Sequence, residues 1–314
     1  MFFQHKAPKL VWTENKNWLH SKPLTWESLR DKLILLDFWT YSCINCLRTL
    51  PALKQIWEKY QNKKFILIGV HTPEFDFEKD LVNVQKAARK HELEYPILND
   101  PERINWENYG NTYWPRAALI NADGELIMDH VGESGYDEIE EAIIKELRKM
   151  KQLEAASRIK EEKHYYAPNI SPEIYAGSSR NAGLGSAKVC SKRGCDEFYD
   201  AGKYHQDIIY VQGDWKQTSE YLEFMGDKGH IAFQYYAKEV NVVMEGKGLA
   251  TIFLNDKPLM GMEAGKDVRV SQGKSLAHLE GADLYQLVHK PDYQQSVLKI
   301  IPFKGLKVYA YTFG

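Results

Sequence analysis

No stretch of this 314-residue chain approaches the run of about 18 apolar residues that crosses a bilayer, and Leu33-Ile34-Leu35-Leu36 is cut short by Asp37. An excess of charge is also missing: 41 Lys and Arg stand against 43 Asp and Glu, a formal net charge of −2. That balance excludes the basic footprint a nucleic-acid binder needs and gives no pull towards an anionic membrane surface. Residues 1–16 lack the charged n-region, apolar core and small-residue cleavage site of a secretory signal. The expectation is a cytoplasmic protein or, alternatively, the soluble part of a longer, extracytoplasmic chain. Cysteine is scarce: four residues are too few for a disulfide-stapled scaffold. They form two close pairs, Cys43/Cys46 and Cys190/Cys195, with no histidine at ligand spacing beside either, so no metal is expected.

What is present divides at mid-chain. With 44% hydrophobic residues each half can bury a core, and the length predicts two domains. The first half alternates strand and helix signals: apolar runs at 33–39 and 65–70 read as strands buried on both faces, with a helix over 44–60 between them. Helices are expected at 77–91, 102–109 and 136–156, a short strand at 95–98, and a hairpin turning at Ala122-Asp123-Gly124. This order predicts an α/β domain over 1–150, a mixed sheet with helices on both faces. Residues 151–170 read as a helical tail and linker. From 171 to 314 the period switches to two. Short Val-, Ile-, Tyr- and Phe-rich runs recur about every ten residues, which predicts an all-β, jelly-roll-like sandwich.

The chemistry-bearing motif is Cys43-Ile44-Asn45-Cys46, placed after a buried strand and at the start of a helix. Thiol–disulfide exchange needs a thiolate, a second thiol in reach and a charge-stabilising environment, which a helix N-terminus supplies. Cys43 is therefore expected to attack and Cys46, one turn deeper, to resolve. The stretch Asp37-Phe38-Trp39-Thr40-Tyr41-Ser42-Cys43 resembles the active-site strand of the thioredoxin family, and that resemblance implies that Asp37 is a carboxyl buried under the site, its pKa raised by burial and fitted to take the proton of Cys46.

The stretch DFWTYSCINC, Pro51 within the following helix, and Trp114-Pro115 before the hairpin together resemble the thioredoxin family. WTYSCINCLRTLP, GVHTPEFDFEKD and GNTYWPRAALINADGEL are similar to its TlpA-like branch, in particular the soluble part of DipZ-type proteins. That resemblance implies a thioredoxin-like domain, a cis-proline at Pro115 facing the CxxC, and a substrate surface including Trp114, Tyr41, Trp39 and Glu74. It also implies a carbohydrate-binding-module-like sandwich at the C-terminus, where EIYAG and VYAYTFG are similar. The CcdA-like electron-transfer domain of DipZ-type proteins is absent from this sequence.

The function expected is a thiol:disulfide oxidoreductase, reducing partner-protein disulfides with no cofactor beyond the Cys43–Cys46 pair. Its electron donor would be the thioredoxin system or a CcdA-like membrane protein. Two alternatives stand beside it. A thiol peroxidase would use Thr40, three residues before Cys43, and Arg116, but Leu36 occupies the place of the proline that opens the peroxiredoxin motif. A partner- or glycan-binding module would rest on the sandwich tyrosines and Trp215. Glu74 reads equally as a site residue and as a helix-start acid. His71 reads as structural, and Arg48 and Arg116 as solvated surface residues. Cys190-Ser191-Lys192-Arg193-Gly194-Cys195 admits a surface disulfide, two inert thiols, or a second redox pair.

Overall fold

A computed structural model describes residues 6–154, 158–160, 166–181, 183–191 and 194–314, with the backbone alone at 191 and 194–196. The chain divides into two compact units, Met1–His164 and Tyr165–Gly314.

The first unit is built on a six-stranded mixed sheet. Its elements are β1 (Trp18–Leu19), α1 (Trp26–Leu29), β2 (Leu33–Trp39), α2 (Ile44–Tyr60), β3 (Phe65–His71), α3 (Leu81–Lys90), β4 (Ile97–Asn99), α4 (Ile104–Asn108), β5 (Arg116–Ile120), β6 (Leu126–Val131) and α5 (Tyr136–Lys149). The strand order is β1-β4-β3-β2-β5-β6. β2 runs parallel to β3 and antiparallel to β5. Every residue of β2 and β3 is buried, because helices cover both faces and no side can be left polar. Alternation along β2 assigns the faces. Leu33, Leu35 and Trp39 join the core shared with α2 and α5, while Ile34, Leu36 and Phe38 join the opposite core with Trp106 and Tyr109. By that period of two, Asp37 points to the α2/α5 side.

Three local devices fix the site. Cys43 is the N-cap of α2, Pro51 lies inside that helix, and the Trp114–Pro115 peptide bond leading into β5 is cis. α5 carries Asp137 and Glu138 in its first turn and Arg148 and Lys149 in its last, matching its dipole.

The second unit is all-β. Twelve strands form one hydrogen-bonded sheet around a single core cluster. Two strands are far longer than the sequence suggested. His230–Glu245 and Asp283–Ile301 each absorb two of the expected short strands. Their pairing slips where Ala237 faces Gln294 and Glu239 faces His289, so a bulge accommodates the turn-like Lys290-Pro291-Asp292-Tyr293 without ending the strand. Strands Ala187–Ser191, Gly194–Tyr199 and Lys274–Leu279 were not apparent in the sequence. Tyr210, Trp215, Tyr235 and Tyr285 are buried, and Tyr204, Tyr221 and Tyr236 half-buried.

Gly69 is the β3 partner of Asp37. A Cβ there would lie 3.0 Å from both Trp39 Nε1 and the Tyr95 ring. Gly69→Ala is expected to destabilise the protein by about 1–3 kcal/mol through overpacking of this buried layer. Urea unfolding checks it, and a wild-type midpoint would contradict the packing described.

Candidate active site

Cys43 and Cys46 are both free thiols. Cys43 is half-buried at the first turn of α2, and Cys46 is fully buried one turn on. The Cys46 amide donates to Cys43 Sγ across 3.3 Å. This N–H is one of the donors that a helix N-terminus leaves unpaired, so negative charge on Cys43 sulfur meets both a hydrogen bond and the positive end of the dipole. The Cys46 thiol is pushed well up from its ordinary pKa, first by burial, then by its hydrogen bond with Cys43 and the charge there, and last by the charge of Asp37. The two cysteines are thus in unlike surroundings: one half-buried at the helix start, one held neutral in the core.

Asp37 is fully buried, and neither carboxyl oxygen has a hydrogen-bond partner among the described residues. Burial raises its pKa to about 7. A carboxyl with no donors and no cation, on the α2 side of the sheet, is suited to exchange a proton near neutral pH.

A second buried carboxylate lies in the same region, and the sequence reading missed it. Glu78, in the 3-10 turn Asp76–Lys79, is fully buried. Its Oε1 accepts from the hydroxyls of Thr40 (2.5 Å) and Ser42 (2.6 Å) and from the Ser42 amide (3.3 Å). Its Oε2 accepts from the amides of Glu74 (2.6 Å) and Phe75 (2.9 Å). Burial, then the charge of Glu74, push its pKa up to about 7 against the pull of the Ser42, Thr40 and Phe75 donors. Glu74, the residue singled out from sequence, is half-buried and meets this network through its backbone. The one readable clue to Glu78 was its place after Phe75 and Phe77, two aromatics that pack against the core.

Other expected site residues are placed differently. Trp39 and Tyr41 are 0% and 2% exposed, so they form the floor of the site and not a substrate surface. The alternation that puts Asp37 inside also turns Trp39 inward, edge-on to His71 at 5.2 Å, while Tyr41 stacks on the same imidazole at 5.5 Å. His71 is structural, as expected. It lies between Asn99 Oδ1 and Thr40 Oγ1, and burial lowers its pKa to about 4. Arg48 and Arg116 are not solvated. Arg48 reaches Asn45 and Glu133, both at 3.4 Å. Arg116 holds Asp129 with two bonds of 2.7 Å and also donates to the Tyr109 carbonyl and Asn111. Trp114 is half-buried, stacked on Trp106 at 4.0 Å under the Arg103 guanidinium, while its neighbour Tyr113 is 67% exposed. Pro115 is buried. Cys190 is exposed and disulfide-bonded, so the inert-thiol reading fails for it. The Cys195 side chain lies outside the described residues. Among the described residues no cluster of three or more His, Cys, Asp or Glu is arranged to hold a metal.

Residues 31–126 match the family described as Thioredoxin-like, and residues 171–314 the family described as Thioredoxin like C-terminal domain. Protein DipZ of Mycobacterium tuberculosis (strain CDC 1551 / Oshkosh) is 30% identical over 308 residues, which cover 95% of this chain and 41% of that one. The chain therefore spans about two fifths of the length of that relative. Thiol-disulfide oxidoreductase YkuV of Bacillus subtilis (strain 168) is 25% identical over 143 residues, 46% of this chain and 95% of that one. Thiol-disulfide oxidoreductase ResA of Bacillus thuringiensis subsp. konkukian is 26% identical over 140 residues, 45% of this chain and 76% of that one. With a CxxC at a helix start and a buried acid on the preceding strand, the first unit has a thioredoxin-like fold, and its sequence is similar to DipZ and to the thiol-disulfide oxidoreductases YkuV and ResA.

Proposed function

We propose that this chain is a thiol:disulfide oxidoreductase that reduces disulfides of partner proteins through Cys43 and Cys46. The observation that carries it is the asymmetry of the pair: a half-buried cysteine whose sulfur receives an N–H at a helix start, and a fully buried, neutral thiol on the Asp37 side of the sheet.

Cys43, as thiolate, attacks one sulfur of the substrate disulfide. The substrate S–S bond breaks, the leaving sulfur takes a proton, and a Cys43–substrate mixed disulfide forms. Asp37 then accepts the Cys46 proton. The Cys46 thiolate attacks Cys43 Sγ, releasing the second substrate thiol and leaving a Cys43–Cys46 disulfide. Two electrons have passed to the substrate, and a dithiol donor must return them. The thioredoxin system and a CcdA-like membrane protein are both chemically suited. Ile44-Asn45 contributes no charge or imidazole that would make the pair a strong oxidant, which favours the reductive direction. The substrate chain is expected along the edge of Trp114 and cis-Pro115, beside exposed Tyr113, with Glu74 at its margin.

A peroxidase would need the Thr40 hydroxyl and the Arg116 guanidinium free for peroxide. Both are buried and committed, Thr40 to Glu78 and Arg116 to Asp129. Of the sandwich aromatics, Tyr210, Trp215, Tyr235 and Tyr285 are buried and so cannot serve as a glycan platform. Among the described residues no helix is long and apolar enough to cross a membrane.

Reduction of insulin disulfides tests the reading. Cys43→Ser is expected to lose activity to background. Cys46→Ser is expected to accumulate a mixed disulfide visible on non-reducing gels, and full activity in Cys43→Ser would contradict the mechanism. Asp37→Asn is expected to slow resolution of the mixed disulfide by roughly 10²-fold. It also has a stability signature. The folded-state pKa of Asp37 lies above its unfolded value, so its contribution is present below about pH 4 and is lost as pH rises to about 7. Three pKa units correspond to about 4 kcal/mol. Asp37→Asn is therefore expected to be more stable than wild type at pH 8 by up to that amount, and no more stable at pH 4. Urea unfolding at the two pH values checks this.

A further inference from the structure

Two other buried acids, Glu140 and Asp100, show what is unusual about Glu78. Glu140 accepts from Lys59 Nζ and the Tyr60 hydroxyl, each at 2.9 Å, and from the Ile159 amide at 2.7 Å, so a cation compensates it where it braces α2 and α5. Asp100 accepts from the Asn105 and Trp106 amides and so caps α4. Both have a structural reason to be where they are. Glu78 caps its own short 3-10 turn by accepting the Phe75 amide, but it pairs with no lysine or arginine among the described residues, and its other oxygen is given over to the turn before Cys43. A buried charge of that kind is a poor way to gain stability. Its five donors are divided between two segments. Three come from Thr40 and Ser42, in the turn immediately before Cys43, and two from Glu74 and Phe75, in the loop that follows β3.

We infer that Glu78 is a positioning residue of the dithiol: its carboxylate fastens the Thr40–Ser42 turn to the Glu74–Phe75 loop and so fixes Cys43 relative to Cys46. The inference rests on the Cys43–Cys46 reading. The turn needs an external tie, because its own backbone closure, Cys43 amide to Thr40 carbonyl, is long at 3.4 Å. His71 backs the same hydroxyl, with Nε2 3.4 Å from Thr40 Oγ1, and Glu74 is the charged side chain that acts on Glu78. Fixed orientation raises the effective concentration of one thiol at the other, and that concentration sets how readily the disulfide forms. Loosening the turn weakens the disulfide.

The test is the equilibrium of the Cys43–Cys46 pair with glutathione, in the full chain. Glu78→Gln keeps the shape but presents amide hydrogens to donors. It is expected to lower the equilibrium constant for disulfide formation about tenfold, a rise of about 30 mV in reduction potential. A merely structural role would lower the stability of both redox forms and leave the potential in place. A folded Glu78→Gln with the wild-type potential overturns the inference. Should Glu78→Gln not fold, Ser42→Ala and Thr40→Val each remove one tie while keeping the carboxylate. About a threefold change in either supports the role, and wild-type potentials in both overturn it. A wild-type chain that forms no Cys43–Cys46 disulfide overturns the reading beneath it instead.

Discussion

Asp37 occupies a strand in which every residue is buried, and nothing among the described residues donates to its oxygens. Leaving a carboxyl so placed is costly, and it ionises only with difficulty. The rest of the site takes its meaning from that constraint. The period of two along β2 turns Asp37 to the α2 side, where Cys46 is buried at the first turn of the helix. The same burial that holds Cys46 neutral keeps Asp37 protonatable near neutral pH. Cys43, one turn nearer solvent, escapes that environment and receives the Cys46 amide instead. A division of labour between the two sulfurs therefore follows from depth alone.

Around this axis the structure spends its polar groups on immobilising the approach to Cys43. Glu78, Thr40, Ser42, His71 and Asn99 form a connected buried network under the turn, and Arg48 joins Asn45, inside the CxxC, to Glu133 after β6. Trp39 and Tyr41 flank His71 and fill the floor. Buried polar networks of this kind rigidify when every member is satisfied. The exposed part of the site is correspondingly small, with Tyr113 prominent beside the cis peptide bond.

Much of this was legible in the sequence because it depends on pattern. β2, α2 and the strand at Val268–Ser271 fall where their apolar periods place them, and the CxxC, Asp37 and Pro115 stand out as departures from those patterns. What was not legible depends on partners distant in sequence. Glu78 sits in the charged string EKD, which reads as a solvated face until Thr40 and Ser42 are brought against it from 36 to 38 residues away. Arg116 is buried because Asp129 comes back across a hairpin to neutralise it. The long strands of the second unit run through Pro291 and Asp292, which locally signal a turn, because a bulge absorbs them. Trp39 and Tyr41 carry the composition of a substrate surface, but strand alternation and the stack on His71 turn them inward.

The central claim is that the Cys43–Cys46 pair is poised to give electrons. Its most direct test is the equilibrium reduction potential of that pair, titrated against glutathione with Cys190 and Cys195 replaced by serine. The account predicts a value near or below about −230 mV, in the range of reducing thioredoxin-fold proteins. A value above about −150 mV, close to the strong oxidants, would contradict it and make this a disulfide-forming protein.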